Sequence, residues 1–176
     1  MNYNKYTFKQ IVLYIINKIN KQELGNVKLN KILWFSDLEK CKNEAYTITG
    51  ETYIKQNYGP VAKHLPSILR ELEKIDKAIT IERETPDSML LYTPVKKADT
   101  NLFKNDIKYI DETIEKLRHM KSKDISKLTH TKLWESLNIG EVMPVDVEAL
   151  EYFVDNETKD SDIQWEKENN NLKNVG

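Results

Sequence analysis

A chain of 176 residues, 39% of them hydrophobic, can bury one core of ordinary domain size. It has no run near the roughly 20 apolar residues that cross a bilayer, and its early lysines, Lys5 and Lys9, interrupt any signal-type apolar stretch, so a cytoplasmic protein without a membrane span is expected. The net charge of −1 conceals an asymmetry: from Glu141 onward ten acidic residues face three lysines, a net of −7, which leaves +6 on residues 1–140.

The single Cys41 excludes an intramolecular disulfide and has no neighbour at zinc-ligand spacing, so it reads as a small buried hydrophobe. Thr7-x-x-Gln10 has the form of a capping box. Phe8, Ile11, Val12, Ile15, Ile16 and Ile19 then recur at helical spacing, which predicts a first helix over about 7–20. After Gly25-Asn26, Leu29, Ile32, Leu33 and Ser36 form one face while Trp34, Phe35 and Leu38 widen it. This second helix, about 27–42, is expected to be buried on more than one side.

Tyr53, Ile54 and Tyr58 favour a short strand over 52–58, ended by Tyr58-Gly59-Pro60. Glycine adopts backbone angles closed to other residues and proline fixes φ, so this tripeptide reads as a junction turning a strand into a helix start. The next helix begins near residue 64, with Pro66 in its first turn and Leu65, Ile68, Leu69, Leu72 and Ile75 as its stripe. Ile79–Arg83 and Met89–Thr93 flank a turn-rich Thr85-Pro-Asp-Ser88 and predict a β-hairpin.

Thr100 is positioned to cap a long helix with Phe103, Ile107, Ile110, Ile114 and Leu117 on one seam. Ser122 starts a shorter helix with Ile125 and Leu128 inward, and Pro144 opens a last helix to about Phe153. The expected architecture is one mainly α (α+β) domain over residues 1–154: a helical bundle with a small antiparallel sheet of two or three strands. Residues 155–176 are an acidic, polar tail whose composition predicts flexibility.

Catalytic patterns are missing from the sequence: no Gly-rich phosphate loop, no G-x-S-x-G, no H-E-x-x-H and no C-x-x-C. His64, His119 and His130 stand far apart without ligand spacing, so neither a metal nor another cofactor is expected. The carboxylates Glu71 and Glu73, or Asp111, Glu112 and Glu115, lie on polar helix sides among lysines and are assigned no catalytic role. His130 and Trp134, four apart, either pin a loop and fill the core or belong to a recognition groove. Tyr58 either completes the core or presents its hydroxyl at the surface. Basic residues thicken between Lys116 and Lys132, which permits a DNA-binding regulator with a winged-helix-like module as the alternative function.

Taken in order, Lys28-Leu-Asn-Lys-Ile-Leu-Trp-Phe-Ser-Asp37, Ile48-Thr-Gly-x-x-Tyr53, Tyr58-Gly-Pro-Val61 and Leu128-Thr-His130 with Trp134 resemble the Panacea domain, the SocA-like, phage-associated (GepA-like) antitoxin domain. The resemblance runs from about residue 8 to 153. It implies a mainly helical bacterial or prophage protein, not an enzyme, that binds and neutralises a cognate protein toxin encoded by a neighbouring gene. Family toxins are diverse, and one branch resembles an adaptor that delivers its toxin to a ClpXP-type protease. Trp34 and Ser36 stand where the family commonly has a tyrosine or phenylalanine and an alanine, and Ala62-Lys-His64 follows Gly-Pro-Val where a proline often comes next. The resemblance carries over Tyr53, Tyr58, Gly59, Pro60, His130 and Trp134 as signature and candidate partner-binding positions.

Overall fold

The computed structural model describes residues 2–83 and 89–151. The expected tail, the Thr85–Ser88 turn and the end of the last helix lie outside them. Helices α1 (Lys5–Lys18), α2 (Asn26–Glu44), α3 (Leu65–Lys74), α4 (Ile107–Leu117), α5 (Ser122–Leu128) and α6 (Lys132–Ser136) surround one cluster of buried apolar side chains. Two antiparallel hairpins complete the mainly α fold: β1 (Tyr53–Gln56) with β2 (Gly59–Ala62), and β3 (Ile79–Glu82) with β4 (Leu91–Pro94). An extended stretch around Val142 runs beside β1 as a third, strand-like edge, with Lys55 donating to Glu141 and Met143 to Tyr53 through the backbone.

Helix α1 buries Phe8, Ile11, Val12, Ile15 and Ile16 as the periodicity requires, but its cap is Asn4, whose side chain accepts from the Thr7 N–H at 2.9 Å. Thr7 is already inside the first turn, so the capping-box reading is corrected by three residues. Thr100 likewise opens only a short 3-10 turn, Thr100–Phe103, capped by Asp99. The chain kinks before α4 starts at Ile107, and the single long helix expected here is two pieces. Ile75 and Leu128, placed inward by spacing, are 73% and 52% exposed because each sits where its helix ends.

The larger correction concerns Tyr58-Gly59-Pro60. It does not turn a strand into a helix; it folds the strand back on itself, pairing Gln56 with Gly59 and Tyr53 with Ala62. Asn57 and Tyr58 form the turn, and the positive φ falls on Gly59 (+95°), as a type I turn followed by a glycine bulge requires. Pro60 has no N–H to offer the ladder and is tolerated in this short two-stranded ribbon.

Helix α2 holds these pieces together through polar side chains that it buries. Lys28 Nζ donates to the Arg118 carbonyl at 2.6 Å, fixing the end of α4. Asn30 accepts from the Ala62 N–H at 2.9 Å and Lys31 Nζ donates to the Pro60 carbonyl at 3.0 Å, docking β2. Lys40 pairs with Asp106 and, at 3.3 Å, with Glu44. Asp37, fully enclosed, accepts from the Ile48 and Thr49 N–H groups (2.8 and 2.9 Å), the Thr49 hydroxyl and the Tyr53 hydroxyl (2.8 Å). It thereby ties α2 to the loop that feeds β1. Trp34 meets the Tyr53 ring edge-on, with centroids 5.0 Å apart.

Burial pushes the Asp37 carboxyl up to about 6, while its hydrogen bonds restrain the rise. A raised carboxyl pKa favours folding most below the unfolded value of 3.8, and that contribution disappears as pH rises through about 6. Asp37→Asn keeps two backbone acceptances and lets the Thr49 and Tyr53 hydroxyls turn to accept from the amide. Denaturant titrations should show its stability relative to the parent chain improving by ~1 kcal/mol between pH 5 and 7.5. A difference independent of pH would contradict the assignment.

A β-carbon on Gly59 would lie 2.0 Å from Thr129 Oγ1 and 2.6 Å from Lys31 Nζ, on top of the strained φ. Gly59→Ala is therefore expected to cost ~2–4 kcal/mol in urea unfolding. Ser36 carries a buried hydroxyl with no hydrogen-bond partner among the described residues. Ser36→Ala should leave stability unchanged or raise it by up to ~1 kcal/mol, measured as a shift in the urea midpoint.

Candidate functional site

Five of the six signature positions, Tyr58, Gly59, Pro60, His130 and Trp134, converge on the turn end of the β1–β2 hairpin. Tyr53 is the exception in character: it is 1% exposed, its hydroxyl is committed to Asp37, and its pKa is pushed well up by burial, so it is a core residue at the foot of the hairpin. Gly59 and Pro60 are buried in the return strand over Lys31 and Thr129. Tyr58, at the tip, is 69% exposed, which decides between the two sequence readings in favour of the surface.

His130 follows α5 and Trp134 lies within α6, whose start is capped by Thr131 accepting from the Trp134 N–H at 3.3 Å. Their rings stack face to face, with centroids 3.8 Å apart and planes 12° from parallel. The indole donates to the Gln56 carbonyl at 3.2 Å, beside the turn that carries Tyr58. From below, Lys55 Nζ lies 4.0 Å from the Trp134 ring centroid and donates to the Trp134 and Leu137 carbonyls. The tip is therefore held on one side by Lys31 and on the other by Trp134.

Electrostatically this end is basic and partly dehydrated. Lys31 is 1% exposed, and burial brings its pKa down to about 7. His130 is also pulled down, first by burial and then by the charges of Lys31 and Lys55, which favours the neutral imidazole. Its Nε2 is buried without a close hydrogen-bond partner among the described residues, while a hydrogen bond to the Asn57 backbone acts against the lowering and links the ring to the turn.

Between Tyr58, α5 and the start of α2 opens a recess of about 540 Å³ lined by Val27, Asn57, Tyr58, Ser122, Ser126 and His130 together with the exposed Lys123 and Lys127. A space of this size falls within the ~300–1,000 Å³ common for sites that enclose a small ligand or an anchoring side chain. Sequence reasoning named Tyr58 and His130; Lys31 stood within the Lys28–Asp37 stretch but was assigned no role, because helical spacing alone does not tell which lysine of such a stretch is buried. The available signal was the expectation that α2 is buried on more than one side, which obliges some of its charged residues to be buried too. Ser126 and Lys127 carried no signal beyond a basic stretch.

Among the described residues no group of three or more His, Cys, Asp or Glu side chains is placed to hold a metal. No helix among the described residues is long and apolar enough to cross a membrane.

Comparison with known protein families gives a match to this chain. The family model, the antitoxin SocA-like Panacea domain, matches residues 29–135, from the first turn of α2 through α6, and so includes the hairpin, the recess and the stacked His130–Trp134 pair. Neither a curated protein nor a solved structure matched the chain. The match covers more than half of the chain and contains each bond by which α2 holds the hairpin, and on that basis the protein belongs to the SocA-like Panacea antitoxin domain family.

Proposed function

We propose that this protein is the antitoxin of a toxin–antitoxin pair, neutralising a protein toxin encoded beside it by direct, stoichiometric binding rather than by catalysis. The observation that carries the reading is the exposed Tyr58 at the tip of a hairpin tied down on both sides, next to an apolar recess, in a member of an antitoxin family. An exposed aromatic on a rigid support is a strong anchor for protein binding, since its burial gains much area at little cost in conformational freedom. Occlusion of the toxin is the mode favoured here. Delivery to a ClpXP-type protease is a separate mode, and a toxin half-life shortened by the antitoxin would reveal it.

The neighbouring open reading frame, expressed alone, should arrest growth, and co-expression of this chain should restore it with the two proteins co-purifying. Tyr58→Asp, a surface change that keeps the circular dichroism spectrum and melting behaviour, should weaken the purified complex at least tenfold by calorimetry. A harmless neighbour, or a toxic one that this chain does not rescue, would rule the proposal out.

A further inference from the structure

The recess combines an apolar interior with a basic rim, and the two features constrain what can occupy it. Val27 and the Tyr58 ring supply apolar surface, and the stacked His130 and Trp134 rings adjoin it. At the rim, Lys123 is exposed with no acidic partner among the described residues. Lys127, its side chain 68% exposed, has among the described residues only Asp124 as an acidic partner, at 3.9 Å. Lys55, which lies 4.0 Å from the Trp134 ring centroid, and Lys31 when protonated add positive charge close to His130.

We propose that this recess receives an aromatic side chain from an acidic segment of the toxin, the carboxylates flanking that side chain pairing with Lys123 and Lys127. The proposal rests on the antitoxin reading for the identity of the partner and adds its chemistry. The interior selects an apolar group, because a charged one would lose its water without gaining a counter-charge inside. The rim selects negative flanks, which speed encounter and fix orientation, and reversing both rim charges would turn that attraction into repulsion. Nucleic acid fits less well: its phosphates would find the two rim lysines, but a base inserted into the recess would bring polar edges to a mostly apolar lining.

The test uses the full-length, isotopically labelled chain and the peptides Ac-EDWDE-NH2, Ac-EDADE-NH2 and Ac-KKWKK-NH2, followed by amide and side-chain NMR shifts. The first peptide should perturb Tyr58, Ser126, Lys127 and His130 in a saturable way, and replacing its tryptophan by alanine should weaken binding at least tenfold. The basic peptide should leave these signals unmoved. The double variant Lys123→Glu/Lys127→Glu alters only rim residues and should weaken the first peptide by a similar factor and show steeper loss in salt-free buffer than at 0.3 M salt. Equal binding of the acidic and basic tryptophan peptides, shifts confined to other surfaces, or stronger perturbation by a single-stranded oligonucleotide would overturn the proposal. Growth rescue separates it from the antitoxin reading. If the parent chain and the double variant rescue equally, the recess proposal falls and the antitoxin reading stands. If the parent chain fails to rescue while the acidic peptide binds as described, the antitoxin reading falls and the recess keeps its ligand chemistry.

Discussion

The bond from the Lys31 ammonium to the Pro60 carbonyl is the contact on which the rest of this architecture depends. A two-stranded ribbon is marginal by itself in water. Here its return strand is held from within α2 by Lys31 and by the preceding residue, Asn30, which accepts from the Ala62 N–H. Burying a lysine is costly, and the lowered pKa of Lys31 expresses that cost. The cost is tolerable because the bond satisfies a carbonyl that β2 would otherwise leave without a donor. Gly59 makes the approach possible, since any side chain there would occupy the space of the ammonium. Lysine, glycine and proline thus form one unit although they are separated by almost thirty residues.

The same logic extends along α2. Lys28, Asp37 and Lys40 each leave the helix to satisfy a group belonging to a different segment: the end of α4, the loop before β1, and the turn before α4. An apolar helix would pack against these neighbours but would not choose among registers. Buried polar partners impose a penalty on every arrangement in which they are left unpaired, so they select one arrangement as well as stabilise it. This accounts physically for a helix in which buried charged residues, Lys28, Lys31, Asp37 and Lys40, recur every three or six positions among buried apolar ones.

Much of the fold was legible from spacing alone. The α1 stripe, the start of α3 at Pro66, the β3–β4 hairpin and the start of α5 at Ser122 all follow from local patterns, because in each case one face is apolar and the other is not. The failures share a different cause. Gly59-Pro60-Val61-Ala62 is too short and too rich in breakers to read as a strand, and it becomes one only because α2 and Tyr53–Gln56 offer partners on both sides. Asn4 caps α1 in place of Thr7 because a cap is decided by which residue leaves helical angles, and both positions carry suitable side chains. At the candidate site, Tyr58 and His130 were identifiable as unusual residues, yet their meeting across a recess is a tertiary fact with no local signature.

The bonds that fix the hairpin tip end almost entirely on backbone atoms: Lys31 on the Pro60 carbonyl, Trp134 on the Gln56 carbonyl, Asn30 on the Ala62 amide. Backbone atoms are the same whatever side chain they carry. The scaffold therefore places few demands on the residues displayed at positions 57 and 58, and the identities there can be exchanged without disturbing the grip beneath them. A platform of this kind can be redirected to a new target by altering what it shows while keeping how it is held, which separates the evolution of specificity from the maintenance of the fold.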